Sequence, residues 1–182
     1  VNQTDGFKTN AAGANSPQSI TTNNSDFWVL DGNDFFVYHF NSAGVNQSDG
    51  FSTSAAGSGS PIGVTSNNSD FWVIDSADLF VYHFNRAGVN QTDGFKTNAA
   101  GLGSPRGITT NNSDFWIVDF TDKFLYHFNR AGVNQSDGFK INISGADNPS
   151  GVTTNIASGS PTNFWITDIV DFLAYHFSSI SL

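Results

Sequence analysis

The chain has 182 residues, 13% of them charged and 38% hydrophobic, with a net charge of −9. This acidity argues against nucleic-acid backbones and anionic lipid as partners, which need clustered Lys and Arg. The absence of Cys removes disulfides and thiol chemistry, and no apolar stretch approaches the length of a membrane span.

The chain opens at Val1 without Met, as expected of a mature or excised product. Its first run, Gly6-Phe7-Lys8-Thr9-Asn10, reads as a short strand. A small-residue run follows, Ser19-Ile20-Thr21-Thr22, repeated as Gly63-Val64-Thr65-Ser66. The whole pattern then recurs. Copies of one unit begin at Val1, Val45, Val89 and Val133, so the repeats are 1–44, 45–88, 89–132 and 133–182 of a single domain spanning 1–182. Self-similarity at this period marks a solenoid, a propeller or an array. With 18 Phe and 4 Trp the chain can build a core, so its Gly, Ser and Asn content does not imply disorder.

The third copy is the clearest. Ser104-Pro105 is a turn signal, and the spacing predicts strand A at 107–110, B at 114–119, C at 122–128 and D at 138–142. These runs are rich in β-branched and aromatic residues and separated by Gly, Asn, Asp and Pro. None has a helical period. In run B, Phe115 and Ile117 point one way, Trp116 and Val118 the other. A sheet apolar on both faces lies between neighbours, and four-stranded sheets stacked around an axis make a β-propeller.

The string Pro105-x-Gly107-Ile108, then Phe115-Trp116-Ile117-x-Asp119-x-x-Asp122, then Tyr126-His127-Phe128-Asn129-x-x-Gly132 resembles the NHL repeat of β-propellers. All four copies carry it. Copy one has Ser19 where the pattern has Gly, and Asn23, Asn67 and Asn111 stand where the family commonly has Asp. The resemblance implies an all-β propeller of four-stranded antiparallel blades. It implies little about function.

The last copy ends after a C-type run, Asp171 to Phe177, and the first residues form a spare D-type strand. The expected architecture is therefore a closed four-bladed ring, a monomer in which the N-terminal strand completes the last blade and covers its edge. Each blade then splays by about 90°, and the small A runs suit the axis. The alternative is donation of that strand to another chain, giving a strand-swapped oligomer, a surface layer or a filament.

Several residue sets carry chemistry. The pairs Asp31/Asp34, Asp75/Asp78, Asp119/Asp122 and Asp168/Asp171 have the oxygen ligands a hard cation wants. They also bracket the B–C turn, where Asp caps backbone N–H groups, and turn capping is the expectation. His39, His83, His127 and His176 fall one per blade, without a chelating pair, and are expected to be structural rather than zinc ligands. Trp28, Trp72, Trp116 and Trp165 could stack on sugars, but in the repeat pattern they pack between blades. Thr21, Thr65, Thr109 and Thr153, with the residue after each, are expected to line a channel holding water. No metal or cofactor is expected.

The Asn-x-Ser/Thr sequons at Asn2, Asn23, Asn46, Asn67, Asn90, Asn111, Asn134 and Asn142 mark surface loops open to glycosylation. Copy four alone has a long A–B link, 156–163, a place for a specific contact. An active site needs unlike groups converging on one point, and near-identical blades do not supply them. The expected function is therefore non-enzymatic: an extracellular or cell-surface binding or scaffold propeller, recognising glycan in a lectin-like, multivalent way, or protein. Candidate ligand residues are Asn46, Gln47 and Asp49, with Asn90, Gln91 and Asp93. The assembly module above is the second reading. A metal-dependent lyase or hydrolase, an activity found among NHL-like propellers, is the third.

Overall fold

A computed structural model describes residues 6–155, 161 and 163–178. The fold is a four-bladed β-propeller. Blade 1 contains β1 (Pro17–Thr22), β2 (Phe27–Asp31), β3 (Phe36–Phe40) and β4 (Phe51–Ser52). Blade 2 contains β5 (Pro61–Ser66), β6 (Asp70–Asp75), β7 (Phe80–Asn85) and β8 (Phe95–Lys96). Blade 3 contains β9 (Pro105–Thr110), β10 (Asp114–Asp119), β11 (Phe124–Asn129) and β12 (Phe139–Lys140). Blade 4 contains β13 (Pro149–Thr154), β14 (Asn163–Asp168) and β15 (Leu173–Ser178). Neighbours in each sheet are antiparallel and consecutive in sequence. The B strand of copy three falls on its predicted bounds. The D strand is only two residues long, because the chain turns into a 3-10 helix at Asn142–Ser144.

The alternation in strand B builds the core. Phe115 and Ile117 pack with Trp72, Ile74 and Val81 of blade 2, whereas Trp116 and Val118 pack with Phe164 and Ile166 of blade 4. One strand therefore cements two interfaces, as its pattern demands. Each D strand adds one Phe to the next blade. Phe51 meets Phe71 and Phe84 at ring distances of 5.3 and 5.2 Å, and Phe95 meets Phe115 and Phe128 at 5.6 Å each. These tilted pairs are the favoured aromatic geometry.

At the axis, β1 packs along β5, β5 along β9 and β9 along β13, whereas β13 and β1 make at most a slight contact. Copy one's Ser19 is explained here, because its Oγ accepts a hydrogen bond from Val64 N of blade 2 at 3.1 Å. Elsewhere this position must be small. A Cβ on Gly107 would lie 2.9 Å from Ser150 O of blade 4.

The described residues do not show the expected closure. The fourth sheet has three strands, and Ala174 and Leu173 on its outer strand are exposed. Phe7 packs on blade 1, against Phe27 and Phe40 at 5.5 and 5.2 Å, but its segment does not pair with β15. The consequence is visible at the two ends of the blade series. Ile20 is 57% exposed, and Trp165 is 37% exposed where Trp28 is 4%.

The B–C turns carry bulky residues in the left-handed region: Phe35, Leu79, Lys123 and Phe172, at φ 56, 54, 54 and 57°. For an L-residue this conformation costs about 1–2 kcal/mol. Phe172 is 89% exposed, so removing its ring forfeits little packing. Phe172→Gly is expected to raise the thermal midpoint by about 2–3 °C, strain relief outweighing glycine's chain entropy. A scanning-calorimetry midpoint unchanged or lowered would count against strain at this turn.

Candidate functional site

A cavity of about 400 Å³ opens near the axis. All four A strands reach it. Its apolar wall is the repeated Ile/Val position: Ile20, Val64, Ile108 and Val152. Its polar rim is the variable residue of three of the four Pro-x-Gly/Ser segments, contributed as Gln18, Arg106 and Ser150. Blade 4 adds Thr153, Trp165, Thr167 and Ala174. The cavity thus brings unlike groups together in a nearly uniform repeat. The sequence signal was present, because Gln18, Ile62, Arg106 and Ser150 differ at one register position, but attention to what the copies share passes over it.

The rim is held in place locally. Thr167 Oγ1 accepts from Gly151 N at 2.9 Å and pairs with Ser150 Oγ at 3.1 Å. Gln18 Nε2 donates to Ser16 Oγ at 3.4 Å. The Arg106 guanidinium lies 5.0 Å from the Phe120 ring, which also receives Lys123 Nζ at 4.1 Å. Arg106 makes no ion pair among the described residues. The lining residues include no carboxylate and no imidazole.

The other candidate sets are committed to structure. Asp31 Oδ2 accepts from Ser16 N at 2.6 Å, while Oδ1 accepts from Asn33 N at 2.8 Å and Asp34 N at 3.3 Å. The second Asp of the pair turns outward and accepts from a tyrosine, Tyr38 Oη to Asp34 at 2.7 Å. That bond, with burial and the two nearby carboxylates, pushes the Tyr38 pKa up to about 12. Burial followed by the Asp78 bond does the same for Tyr82, also to about 12. Among the described residues, no group of His, Asp or Glu forms a metal site.

Three of the four histidines sit in Asp–His–Asp wedges, whereas His176 Nε2 bonds Asn163 Oδ1 at 2.8 Å. His39 Nδ1 bonds Asp49 at 2.6 Å, and Nε2 lies 3.6 Å from Asp26. Its ring stacks on Trp28 at 4.5 Å. His83 with Trp72 and His127 with Trp116 repeat this at 4.7 and 4.5 Å. A cation completes two of the stacks, Arg86 over Trp28 at 5.3 Å and Arg130 over Trp72 at 4.4 Å. Each Arg comes from the following blade and so latches two blades together.

The loop residues proposed for ligand binding lie outside the cavity lining. Asn46 Oδ1 accepts from Ser48 N at 3.0 Å, Gln47 Nε2 donates to Val45 O at 2.6 Å, and Asp49 holds His39. Asn90, Gln91 and Asp93 repeat these bonds to Thr92 N, Val89 O and His83. These residues build the C–D turn.

The sequons follow the same logic. Asn23, Asn67 and Asn111 accept backbone N–H groups of the A–B hairpin, as do Asn46, Asn90 and Asn134 in the C–D turn. Asn142 is exposed at the start of a 3-10 helix, and Asn2 lies outside the described residues. Of the threonines, Thr153 lines the cavity, Thr21 pairs with Ser66 at 3.2 Å across two blades, and Thr22, Thr110 and Thr154 donate to the facing B strand. Most of the long A–B link of copy four, 156–160 and 162, falls outside the described residues.

No protein-family model matches the chain. No curated protein matches it either. Solved structures do. Virginiamycin B lyase from Staphylococcus aureus aligns at 16% identity and a TM-score of 0.58, over 82% of this chain and 47% of the lyase. Glutaminyl cyclase from Myxococcus xanthus aligns at 10% identity and a TM-score of 0.62, over 82% of this chain and 66% of the cyclase. A structure of a nidogen–laminin complex aligns at 16% identity and 0.58, over 86% and 57%. The chain spans about half the length of the first of these solved structures. At such identities the likeness is one of fold: this chain is a β-propeller, similar both to enzymes and to a protein found in a protein–protein complex.

Proposed function

We propose that the protein is a non-enzymatic, lectin-like binding propeller, secreted or displayed at a cell surface, whose axial cavity takes a hydroxyl-rich ligand such as an oligosaccharide. One observation carries this reading: Gln18, Arg106 and Ser150, unlike residues at one register position, meet at the rim of one cavity with an apolar wall. That combination, a largely apolar hollow with a few placed donors, is what small-ligand sites share. The amide, guanidinium and hydroxyl suit sugar hydroxyls and a carboxylate substituent. A lining without carboxylate or imidazole favours binding over acid–base chemistry.

The test is a glycan array probed with tagged protein presented multivalently. Arg106→Ala is expected to weaken retained binding by about tenfold or more, since a hydrogen bond to a charged group contributes about 1.5–3 kcal/mol. If no glycan is retained at high valency, the reading is withdrawn. Retention unaffected by Arg106→Ala would move the site elsewhere.

A further inference from the structure

We infer that the forward face of blade 4 is a docking surface for blade 1 of a second copy of this chain. The three interfaces inside the molecule show what such a face receives. In each, the Trp of one blade meets the first Phe of strand B in the next: Trp28 with Phe71, Trp72 with Phe115, and Trp116 with Phe164, at 5.2, 5.2 and 5.5 Å. Trp165 is the corresponding residue of blade 4 and is exposed. Phe27 is the corresponding Phe of blade 1. Among the described residues it meets Phe7 and no indole.

Phe7 strengthens the case. It sits on blade 1 as the D-strand Phe of a preceding blade would. A Cβ on Gly44 would lie 2.2 Å from Phe7 Cβ, matching 2.1 Å for Gly88 on Phe51 and 2.2 Å for Gly132 on Phe95. Blade 1 thus carries part of the next interface already assembled. In blade 1, Phe51 pairs in register with Val37. The residue of blade 4 equivalent to Val37 is Ala174, on the exposed edge strand β15. An edge strand with open N–H and C=O groups recruits a strand. β13 and β1 do not pack as the other neighbouring A strands do, and no described strand pairs with the outer edge of β15, so that edge is open to the corresponding strand of another copy.

The contact is heterologous, so it builds a ring or a filament according to angle. Two copies make eight blades, within the range that propellers adopt. The face is also less apolar than its internal equivalents, with Thr167 and Ala174 standing where blade 3 has Val118 and Leu125. Association is therefore reversible and depends on concentration. Docking covers Trp165, Thr167 and Ala174, which also form one wall of the cavity, so a second copy and a ligand compete for that wall while Gln18, Arg106 and Ser150 remain at the rim.

The missing element of this interface is the Arg latch. Arg86 and Arg130 reach back over the Trp of the preceding blade, and blade 1 has Ser42 at this position. Sedimentation equilibrium of the whole chain provides the test. The wild type is expected to rise with concentration from 19.5 kDa to twice that value or higher multiples. Trp165→Asp is expected to stay monomeric while still melting in one cooperative transition, with some stability lost from its stack on His176. Ser42→Arg, which places a guanidinium over the partner's Trp165, is expected to associate at about tenfold lower concentration. A wild type that stays monomeric across the micromolar range overturns the inference, as does Trp165→Asp associating like the wild type or Ser42→Arg leaving association unchanged.

Discussion

Gly88→Ala is expected to cost about 2–5 kcal/mol, read as a drop in the urea midpoint, and Gly132→Ala the same. Gly88 has φ +73°, so an Ala there bears the left-handed penalty of about 1–2 kcal/mol. Its Cβ would also fall 2.1 Å from Phe51 Cβ and 2.6 Å from Cγ. Both atoms lie near the backbone of β4, so no rotamer change escapes the contact. The C–D turn of blade 2 must lift off blade 1, which opens the cluster of Trp28, Leu30, Phe51, Phe71 and Phe84. Overpacking of this kind costs about 1–3 kcal/mol more. Gly59→Ala is the control, since nothing lies within 4 Å of its Cβ and its φ is ordinary. A midpoint for Gly88→Ala close to that of Gly59→Ala would mean that the blades are not held by this close approach.

The same glycines show what a sequence displays of such a fold. Gly44, Gly88 and Gly132 recur 44 residues apart, so their importance is legible, and so is the strand they end. The alternation Phe115-Trp116-Ile117-Val118 announces burial on both faces, and both faces are buried. Turn capping by the Asp pairs follows from their spacing, because a carboxylate two or three residues before a free N–H has a short-range partner. What depends on long range is not legible. Spare strand-forming residues at 6–10 are compatible with pairing to β15 and with packing on blade 1 alone, and local pattern does not choose between them. Trp165 has the sequence context of a core residue, yet it is exposed, because among the described residues no blade packs on it as blade 2 packs on Trp28. The cavity escapes for a related reason. Arg106 is an ordinary variable position in its own strand and becomes a rim residue only when four A strands converge. The loop residues Asn46, Gln47 and Asp49 are polar in sequence, and only the fold shows that they bond their own turn and His39.

Asp75→Ala is expected to destabilise the fold by about 3–5 kcal/mol, since removing one partner of a buried charged network leaves several donors stranded. Asp75 is fully buried, and its carboxylate accepts four hydrogen bonds. Oδ2 takes Ser60 N at 2.7 Å and Ser58 Oγ at 2.8 Å; Oδ1 takes Ala77 N at 2.8 Å and Asp78 N at 3.0 Å. These join the start of strand A to the B–C turn, so one side chain fixes both ends of the A–B pair. Asp75→Asn keeps one acceptor oxygen and should lose roughly half as much. Asp78→Ala removes only an exposed bond to Tyr82 and should cost about 0.5–1 kcal/mol. Protonation performs a similar deletion. Burial acts to raise the Asp75 pKa, but the bonds from Asp78 N, Ser60 N, Ser58 Oγ and Ala77 N together outweigh it and hold the pKa below the ordinary 3.8. Asp31 and Asp168 are lowered in the same way, burial opposing and backbone N–H groups prevailing. A carboxylate whose folded pKa lies below its unfolded value contributes its full stabilisation above the unfolded pKa and loses it as pH falls through the folded one. Urea midpoints measured from about pH 6 to pH 2 should therefore be flat, as far as these groups decide, down to about pH 4 and then fall. The fall should be shallower in Asp75→Asn, which has one fewer proton to take up on unfolding in acid. An equally steep fall in that variant would show that acid unfolding is driven by other carboxylates.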